Sequence, residues 1–406
     1  MRFAFLGAND DSLRLAAAIG ASREHALVAI YDAGKRGSEF ASISRARQSD
    51  DWESLLYAAD ADAVIVSASH DKERRAEQLR KLVQAELPLV LVFPACESII
   101  GYELDMIRRD SMSPVVPYVP WQTHPAWLAL QSLGSAAPSS GGIGKLTQIT
   151  IESPGSDTSR GAVVASLARD FHRLAPLMGD VTQVGAIGAG AASEGSGPTS
   201  VHMTTAGGVV VRWALSPRAD LRIECLGTAG KAELIAPLTP IGWRLTVTRH
   251  GQSESREFPP HDEGAAALDA LTLHLQGRDD GAPAIAAWRA TELAETALDS
   301  LERGRTIEMQ PVEHSEEKTF KGLMAMGGCA LLILSVVGCL LGALVDALQW
   351  QGLRAIGGRW WWLWLPVSCL VVFLLLQLIA LLFAARTPNP PDAEIETPEE
   401  KPLPKK

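Results

Sequence analysis

The first 32 residues carry the groups best placed to do chemistry, a glycine turn and a strand-ending acid. A short apolar run over 2–6 stops at Gly7, a helix-like segment follows, and a second apolar run over 26–31 ends in Asp32. Strand, glycine turn, helix, strand and acid is the order of half a dinucleotide-binding Rossmann unit. A carboxylate in that place accepts hydrogen bonds from a ribose diol and repels a 2′-phosphate. The sequence therefore predicts NAD in preference to NADP.

The phosphate-binding turn departs from the usual G-x-G-x-x-G pattern. Its three glycine positions fall on Gly7, Asn9 and Ser12, so only the first is a glycine. Asn9 reaches positive φ more easily than most residues, but its side chain lies where the backbone would approach a pyrophosphate. Asp10 and Asp11 are expected to cap the next helix and to oppose a diphosphate by about 1 kcal/mol per close like-charge pair. Two alternatives stay open: weak binding of NAD, or a Rossmann-shaped unit that binds no nucleotide.

Composition and charge exclude several classes of partner. The 406 residues have a formal net charge of −10, which argues against nucleic acid, and no basic stripe interleaved with aromatic residues is present. Neither the cysteines nor the nine histidines cluster, so we predict no metal site and no disulfide framework. The cysteines are scattered along the chain: Cys96, Cys225, Cys329, Cys339 and Cys369.

The elements that must position these groups fall into two stretches. Strand and helix signals alternate up to 119, which predicts a parallel sheet with helices on both faces. Later, strand-like runs between Gly, Pro and Ser turns predict a mostly antiparallel sheet. We therefore predict an α/β Rossmann domain over 1–122 and an α+β domain over 123–308. The predicted strands are 61–67, 87–94, 114–119, 146–152, 201–205, 209–215, 221–226, 231–235 and 244–248, and the predicted helices are 71–86, 98–109, 163–177 and 284–302.

Four short segments together resemble the Gfo/Idh/MocA oxidoreductase family, over about three quarters of the chain. Residues 62–70 look like the family's D-A-V-x-I-A-T-P-N segment, and 90–94 stand where such proteins carry V-L-x-E-K-P. Residues 226–234 are similar to its G-T-x-G-x-x-x-L turn, and 300–306 to its closing S-x-x-x-G-R-x-V. The order and spacing of the four segments carry the resemblance.

The resemblance implies a hydride-transferring NAD(P) enzyme that acts on sugars, polyols or related small molecules. It also implies a homo-oligomer formed through the open face of the second-domain sheet. Together with the turn and the acid described above, it gives the expected cofactor-binding residues, which are Gly7, Ala8, Asn9, Asp10, Asp32, Ser67, Ala68, His70 and Pro94.

The catalytic positions that the resemblance implies are altered. The lysine of E-K-P is Phe93, which can neither donate a proton nor hold a charge. The family's G-x-H-x-x-D motif keeps only His172, its aspartate being Ala175. Pro176 is expected to kink the helix there, because it removes the hydrogen bond to the His172 carbonyl. His172 could serve as an acid or base, or be a packed residue at a domain interface. Asp170, Arg173 and His124 are interpreted as surface or packing residues.

Two long uncharged runs at the far end predict a transmembrane hairpin. Residues 322–345 and 362–385 are each long enough, at about 1.5 Å per residue, to cross a bilayer core of about 30 Å. Trp350, Trp360 and Trp361 in the intervening loop are typical of an interfacial belt. Gly338 and Gly342 form a G-x-x-x-G that could pack the hairpin or join two copies.

The hairpin fixes an expected topology. Residues 309–321 form a linker, and 386–406, with six prolines, are expected to be a disordered tail. Because no signal peptide precedes the first strand, we expect the large domain and the tail in the cytoplasm and the loop outside. The lipid bilayer is then a partner, in a bacterial-type inner (cytoplasmic) membrane.

Two functions from different classes fit these observations. One is a membrane-tethered oxidoreductase, favoured by Asp32 and the intact order of elements. The other is a non-catalytic nucleotide- or sugar-sensing or scaffolding module, favoured by Phe93, Ala175 and the acidic turn.

Overall fold

A computed structural model describes residues 1–57, 61–111, 113–137, 141–188, 196–237, 242–276, 282–309 and 340. The chain divides into two units, Met1–Val312 and Glu313–Lys406. All described residues except Leu340 belong to the first unit, which contains two sheets.

The first sheet is parallel and has six strands in the order β3-β2-β1-β4-β5-β6. Its central strands are buried on both faces, as their continuous apolar runs require. The strands are β1 Arg2–Leu6, β2 Ala26–Tyr31, β3 Arg47–Ser49, β4 Ala63–Val66, β5 Leu89–Val92 and β6 Val115–Tyr118. The helices of this half are α1 Asp10–Ala21, α2 Gly37–Ile43, α3 Lys72–Gln84, α4 Ser98–Ser111 and α5 Pro125–Ser135.

The second sheet has nine strands in the order β14-β13-β12-β11-β7-β10-β9-β8-β15. All its pairs are antiparallel except β7 with β10. The strands are β7 Leu146–Pro154, β8 Val181–Gly188, β9 Pro198–Thr205, β10 Val210–Ser216, β11 Asp220–Gly227, β12 Lys231–Pro237, β13 Trp243–Arg249, β14 Gln252–Phe258 and β15 Ile307–Glu308.

Three helices accompany the second sheet: α6 Arg160–Met178, α7 Glu263–Gln276 and α8 Ala282–Arg303. Alternate residues of the strands are buried, as in β11, where Leu221, Ile223 and Cys225 point into the core. These side chains share one apolar cluster with residues of α6 and α8. Helix α7 instead packs on α1, and its Ala267, Leu268 and Leu271 join the cluster on one face of the first sheet.

The two predicted sheet types and their order along the chain are confirmed. The sequence analysis missed seven elements, namely α2, α5, α7, β3, β8, β14 and β15. The predicted boundary between 1–122 and 123–308 stays a prediction, because one compact unit includes both sheets.

No helix in the part of the chain that the structure describes is both long and apolar enough to cross a membrane. The predicted spans at 322–345 and 362–385 and the tail at 386–406 lie outside the described residues, apart from Leu340. The hairpin therefore stays a prediction from the sequence.

Candidate active site

The glycine turn forms as the sequence predicts, but Asn9 has a different role from the one expected. Gly7 has a φ of +86° and turns the chain from β1 into α1. Asn9 is extended, with φ −147°, and is the N-cap of α1. Its Oδ1 accepts from the Ser12 N–H at 2.8 Å, and Ser12 Oγ accepts from the Asn9 N–H at 2.8 Å. The altered glycine positions thus form a capping box, and Asn9 needs no positive φ.

The expectation that Asp10 and Asp11 cap this helix is wrong, since they occupy its first turn behind the Asn9 cap. Asp10 pairs with Arg36, and Asp11 pairs with Arg14 at 3.1 Å and with Arg169 of α6 at 3.4 Å. These ion pairs offset both carboxylate charges. The two acids therefore repel a diphosphate less than the sequence alone suggests.

Asp32 lies at the end of β2 with a φ of +50°. Its Oδ1 accepts from Arg74 at 3.0 Å and its Oδ2 from Gln78 at 2.8 Å, both on α3. A ribose diol would therefore share this carboxylate with, or displace, two side chains of the same chain. Neither contact could be predicted from the sequence, because α3 reaches Asp32 only through the fold.

The other expected cofactor residues lie at the same edge of the sheet, where the carboxyl ends of parallel strands meet. Ser67 follows β4 and is fully buried, and its Oγ has no hydrogen-bond partner within the described residues. Ala68 and His70 are exposed, whereas Ala8 and Pro94 are half-buried. The edge thus combines a buried hydroxyl with residues open to a ligand.

The sequence analysis did not identify one residue at this edge, Arg75 of α3. Its side chain is 3 % exposed, and its Nε and Nη1 have no hydrogen-bond partner in the described part of the chain. Burial lowers the pKa of this guanidinium to about 10. No sequence signal could have found it, since Arg75 is one of several charged residues on an amphipathic helix.

The fold brings Phe93 and His172 together. Their ring centroids are 5.3 Å apart, although 79 positions separate them in the sequence. Burial lowers the pKa of His172 to about 4, and a hydrogen bond with the backbone of Ala286 opposes this shift. His172 is therefore neutral at physiological pH, and its Nδ1 lacks a partner among the described residues.

Helix α6 continues through Pro176 to Met178. Pro176 lies in the last turn of the helix, where it removes a single backbone hydrogen bond. The helix therefore does not end at this proline. Ala175, where the resemblance implies an aspartate, therefore lies on the same helix as His172.

A cavity of about 340 Å³ lies beside His172, between β6, α6, α7 and the start of α8. Tyr118 Oη, on its wall, is buried without a hydrogen-bond partner in the described structure, as is His172 Nδ1. Glu263 contributes a buried carboxyl whose Oε1 accepts from the Trp121 N–H at 2.6 Å. The pKa of Glu263 is raised, chiefly by burial, although hydrogen bonds from Trp121 and Thr123 act against that shift. Such a wall suits a small ligand with several hydroxyl groups.

The remaining candidate acids and bases serve packing. Asp170 and Arg173 are buried, not at the surface, and pair at 2.8 Å. Asp170 also accepts from Trp213 Nε1 at 2.9 Å. His124 caps α5 and stacks on Trp243 with ring centroids 3.7 Å apart. The interpretation as packing residues is thus correct for all three, and the surface alternative is wrong.

The described unit is a two-sheet protein: a Rossmann-type parallel sheet followed by a large, mostly antiparallel one. No protein-family model and no curated protein matches the chain. Solved structures do match, and at the identities found they show the fold alone. A ketoreductase, KijD10 of Actinomadura kijaniata, solved with NADP and TDP-benzene, is 16% identical with a TM-score of 0.63, over 74% of this chain and 98% of that one.

Two further structures agree. An oxidoreductase from Agrobacterium radiobacter, solved with NAD+, L-tartaric acid and magnesium, has a TM-score of 0.62 at 14% identity, over 76% of this chain and 98% of that one. A protein from Sinorhizobium meliloti 1021, provisionally described as a myo-inositol dehydrogenase, has a TM-score of 0.61 at 20% identity. The match covers 76% of this chain and 100% of that one. The expected two-sheet fold is therefore confirmed.

Proposed function

We propose that this protein is a nicotinamide-dinucleotide-dependent oxidoreductase of the Gfo/Idh/MocA type that acts on a small hydroxylated molecule such as a sugar or polyol. The observation that carries the proposal is the cavity beside His172, which presents unpartnered polar atoms at the carboxyl end of β6. Structures of similar fold hold NAD or NADP, which supports a nicotinamide cofactor.

The residues at the sheet edge fit such a cofactor. Gly7 turns the chain into the start of α1, and Ser67 and Arg75 offer buried donors beside it that lack partners within the described residues. When bound, a nicotinamide ring supplies the hydride acceptor. The neutral imidazole of His172 then accepts the hydroxyl proton at Nδ1 as the substrate carbon loses its hydride. Tyr118 and Glu263 hold the other hydroxyl groups of the substrate.

A comparison of the turnover of the wild type with that of a His172 variant tests this proposal. Full-length protein is assayed for NAD(P) reduction against a panel of sugars and polyols, next to His172→Asn. We expect turnover by the wild type and a loss of about 10²-fold or more in kcat in the variant. Turnover that is unchanged in the variant would remove His172 from the mechanism.

The preference for NAD over NADP is part of the proposal and depends on Asp32. Its carboxylate favours a free diol, but Arg74 beside it could also accept a 2′-phosphate. Dissociation constants for NAD and NADP, measured by tryptophan fluorescence, decide between the two. We expect NAD to bind more tightly; tighter binding of NADP would contradict the role given to Asp32.

A second candidate, a non-catalytic binding module, is favoured by one observation. Phe93 is 2 % exposed and fills the place beside His172 where the family's lysine would supply a charge. Binding of dinucleotide and of a polyol, without reduction of NAD(P), would support this candidate.

We also propose the membrane hairpin and its topology, which rest on the two uncharged runs of the sequence. Engineered cysteines in the 347–359 loop and in the tail are labelled with a membrane-impermeant reagent in inverted and right-side-out vesicles. We expect the tail to react only from the cytoplasmic side and the loop only from the other. Labelling of both sites from the cytoplasmic side would disprove the hairpin.

Homo-oligomerisation through the second sheet is a further proposal. The outward face of this sheet carries ion pairs such as Lys231 with Glu224 at 2.6 Å, so an interface there would be largely polar. Light scattering of the detergent-solubilised chain, with and without Glu224→Lys, tests it: we expect an oligomer that the variant dissociates.

A further inference from the structure

Arg75 places a buried positive charge directly against the glycine turn. Its Nη2 lies 2.7 Å from the point that a Cβ on Gly7 would occupy, and Cβ of Ser67 lies 3.4 Å from the same point. A Cβ at position 7 would therefore displace the guanidinium, and the positive φ of this residue separately favours glycine.

This charge is only partly compensated within the described residues. The nearby carboxylate of Asp32 contributes a favourable Coulomb interaction, but its two oxygens accept from Arg74 and Gln78. Nε and Nη1 of Arg75 are left without hydrogen bonds. An unpaired buried charge costs several kcal/mol. A protein that keeps such a group beside a helix N-terminus has the donor set of an anion receptor.

Two other donors converge on the same place. Ser67 Oγ is buried and unpartnered. The capping box takes the N–H groups of Asn9 and Ser12, so those of Asp10 and Asp11 have no intrahelical partner. Backbone N–H groups at a helix start favour anions.

We propose that Arg75, Ser67 and the Gly7 turn form an oxyanion receptor for the diphosphate of a dinucleotide, with the guanidinium replacing the attraction lost with the second and third glycines. This inference rests on the proposed function, because the diphosphate is that of its cofactor. A planar guanidinium donates two parallel hydrogen bonds to one phosphate, which suits a site where backbone approach is restricted.

The test measures binding of inorganic pyrophosphate to the full-length, detergent-solubilised protein by calorimetry. We expect Arg75→Met to weaken pyrophosphate binding by about 10- to 100-fold, because the variant loses charge-assisted hydrogen bonds to the anion. We also expect it to raise the melting temperature of the ligand-free protein, because a buried charge with incomplete hydrogen bonding is removed. Ser67→Ala should weaken binding about threefold or more with an unchanged melting temperature.

Arg80→Met is the matched control, because Arg80 lies on the same helix and pairs with Glu103 at the surface. It should leave the affinity for pyrophosphate unchanged. ADP and NAD should bind through the same residues, whereas adenosine, which has no phosphate, should not respond to Arg75→Met.

Two results would overturn the inference: a wild type that does not bind pyrophosphate, or Arg75→Met and Ser67→Ala proteins that bind it as the wild type does. Because pyrophosphate binding needs no substrate, the test is separate from the proposed function. If the protein binds pyrophosphate through Arg75 but shows no turnover, the oxyanion receptor stands and only the proposed oxidoreductase activity is contradicted.

Discussion

Among single residues, Phe93 and His172 would set the proton chemistry of the proposed reaction, since their rings are in contact. An apolar ring takes the place that the family resemblance gives to a lysine, and the imidazole is neutral because it is buried. In the proposed reaction the imidazole accepts a proton, whereas the Phe93 ring supplies no charge to stabilise an alkoxide. We therefore expect slower turnover than in a relative with both groups.

Replacing Phe93 by lysine should not restore faster turnover. The position is 2 % exposed, so an ammonium group there would lose its hydration without a carboxylate partner. We expect Phe93→Lys to lower the free energy of unfolding by several kcal/mol and to leave kcat no higher, measured by urea denaturation and NAD(P) reduction. Phe93→Leu, a smaller apolar change, should cost about 1 kcal/mol. A stable, faster Phe93→Lys enzyme would contradict this account.

The lowered pKa of His172 predicts a loss of stability in acid. Between its ordinary value of 6.5 and about 4, the unfolded chain binds a proton at this residue that the folded chain does not. Stability therefore falls as pH falls through this window, by up to about 3 kcal/mol from this group alone. Urea denaturation at pH 7 and pH 4.5 should show a smaller difference for His172→Gln than for the wild type. Equal differences would mean that His172 is not held neutral.

At the scale of elements, two helices begin with caps of different origin. The α1 cap is local, since Asn9 and Ser12 are three residues apart. The α4 cap comes from α8: Glu295 Oε1 accepts from the Ser98 N–H at 3.1 Å, and its Oε2 accepts from Ser98 Oγ. Burial raises the pKa of this carboxyl. The second cap therefore links α4, in the Rossmann half, to α8.

Removing the distant cap should destabilise more than removing an exposed acid of the same helix. We expect Glu295→Ala to lower the free energy of unfolding by about 1–3 kcal/mol, because the Ser98 donors are left unsatisfied. Glu302 on α8 pairs with Arg160 at the surface, so Glu302→Ala should cost below about 1 kcal/mol. Urea denaturation compares the two, and similar losses would argue against the cap.

At the scale of the whole molecule, one buried ion pair joins the two halves. Arg173 of α6 donates to Asp170 at 2.8 Å and to the Pro120 carbonyl, which follows β6, at 3.2 Å. Trp213 of β10 donates to the other oxygen of Asp170. The second sheet is thus connected to the end of the parallel sheet through the Asp170–Arg173 ion pair of α6.

We expect Asp170→Asn to lower the free energy of unfolding by about 3–5 kcal/mol, because it leaves Arg173 buried without a counter-charge. Glu152→Gln, which breaks an exposed pair with Arg218, should cost below about 1 kcal/mol. Thermal or urea unfolding of the two variants measures the contrast. A mild Asp170→Asn variant would show that Arg173 finds another partner.

The sequence by itself determined the two sheet types, their order and the turn-and-acid signature, because hydrophobic period and glycine position act locally along the chain. Through the family resemblance it also singled out Phe93 and Ala175 as altered positions and His172 as a retained one. Only the tertiary structure decided what those groups meet: Arg36 and Arg169 on the acids of α1, Arg74 on Asp32, and the buried Arg75 against Gly7. The reason is physical: charge pairing and burial depend on distances between residues far apart in sequence, which no local period encodes.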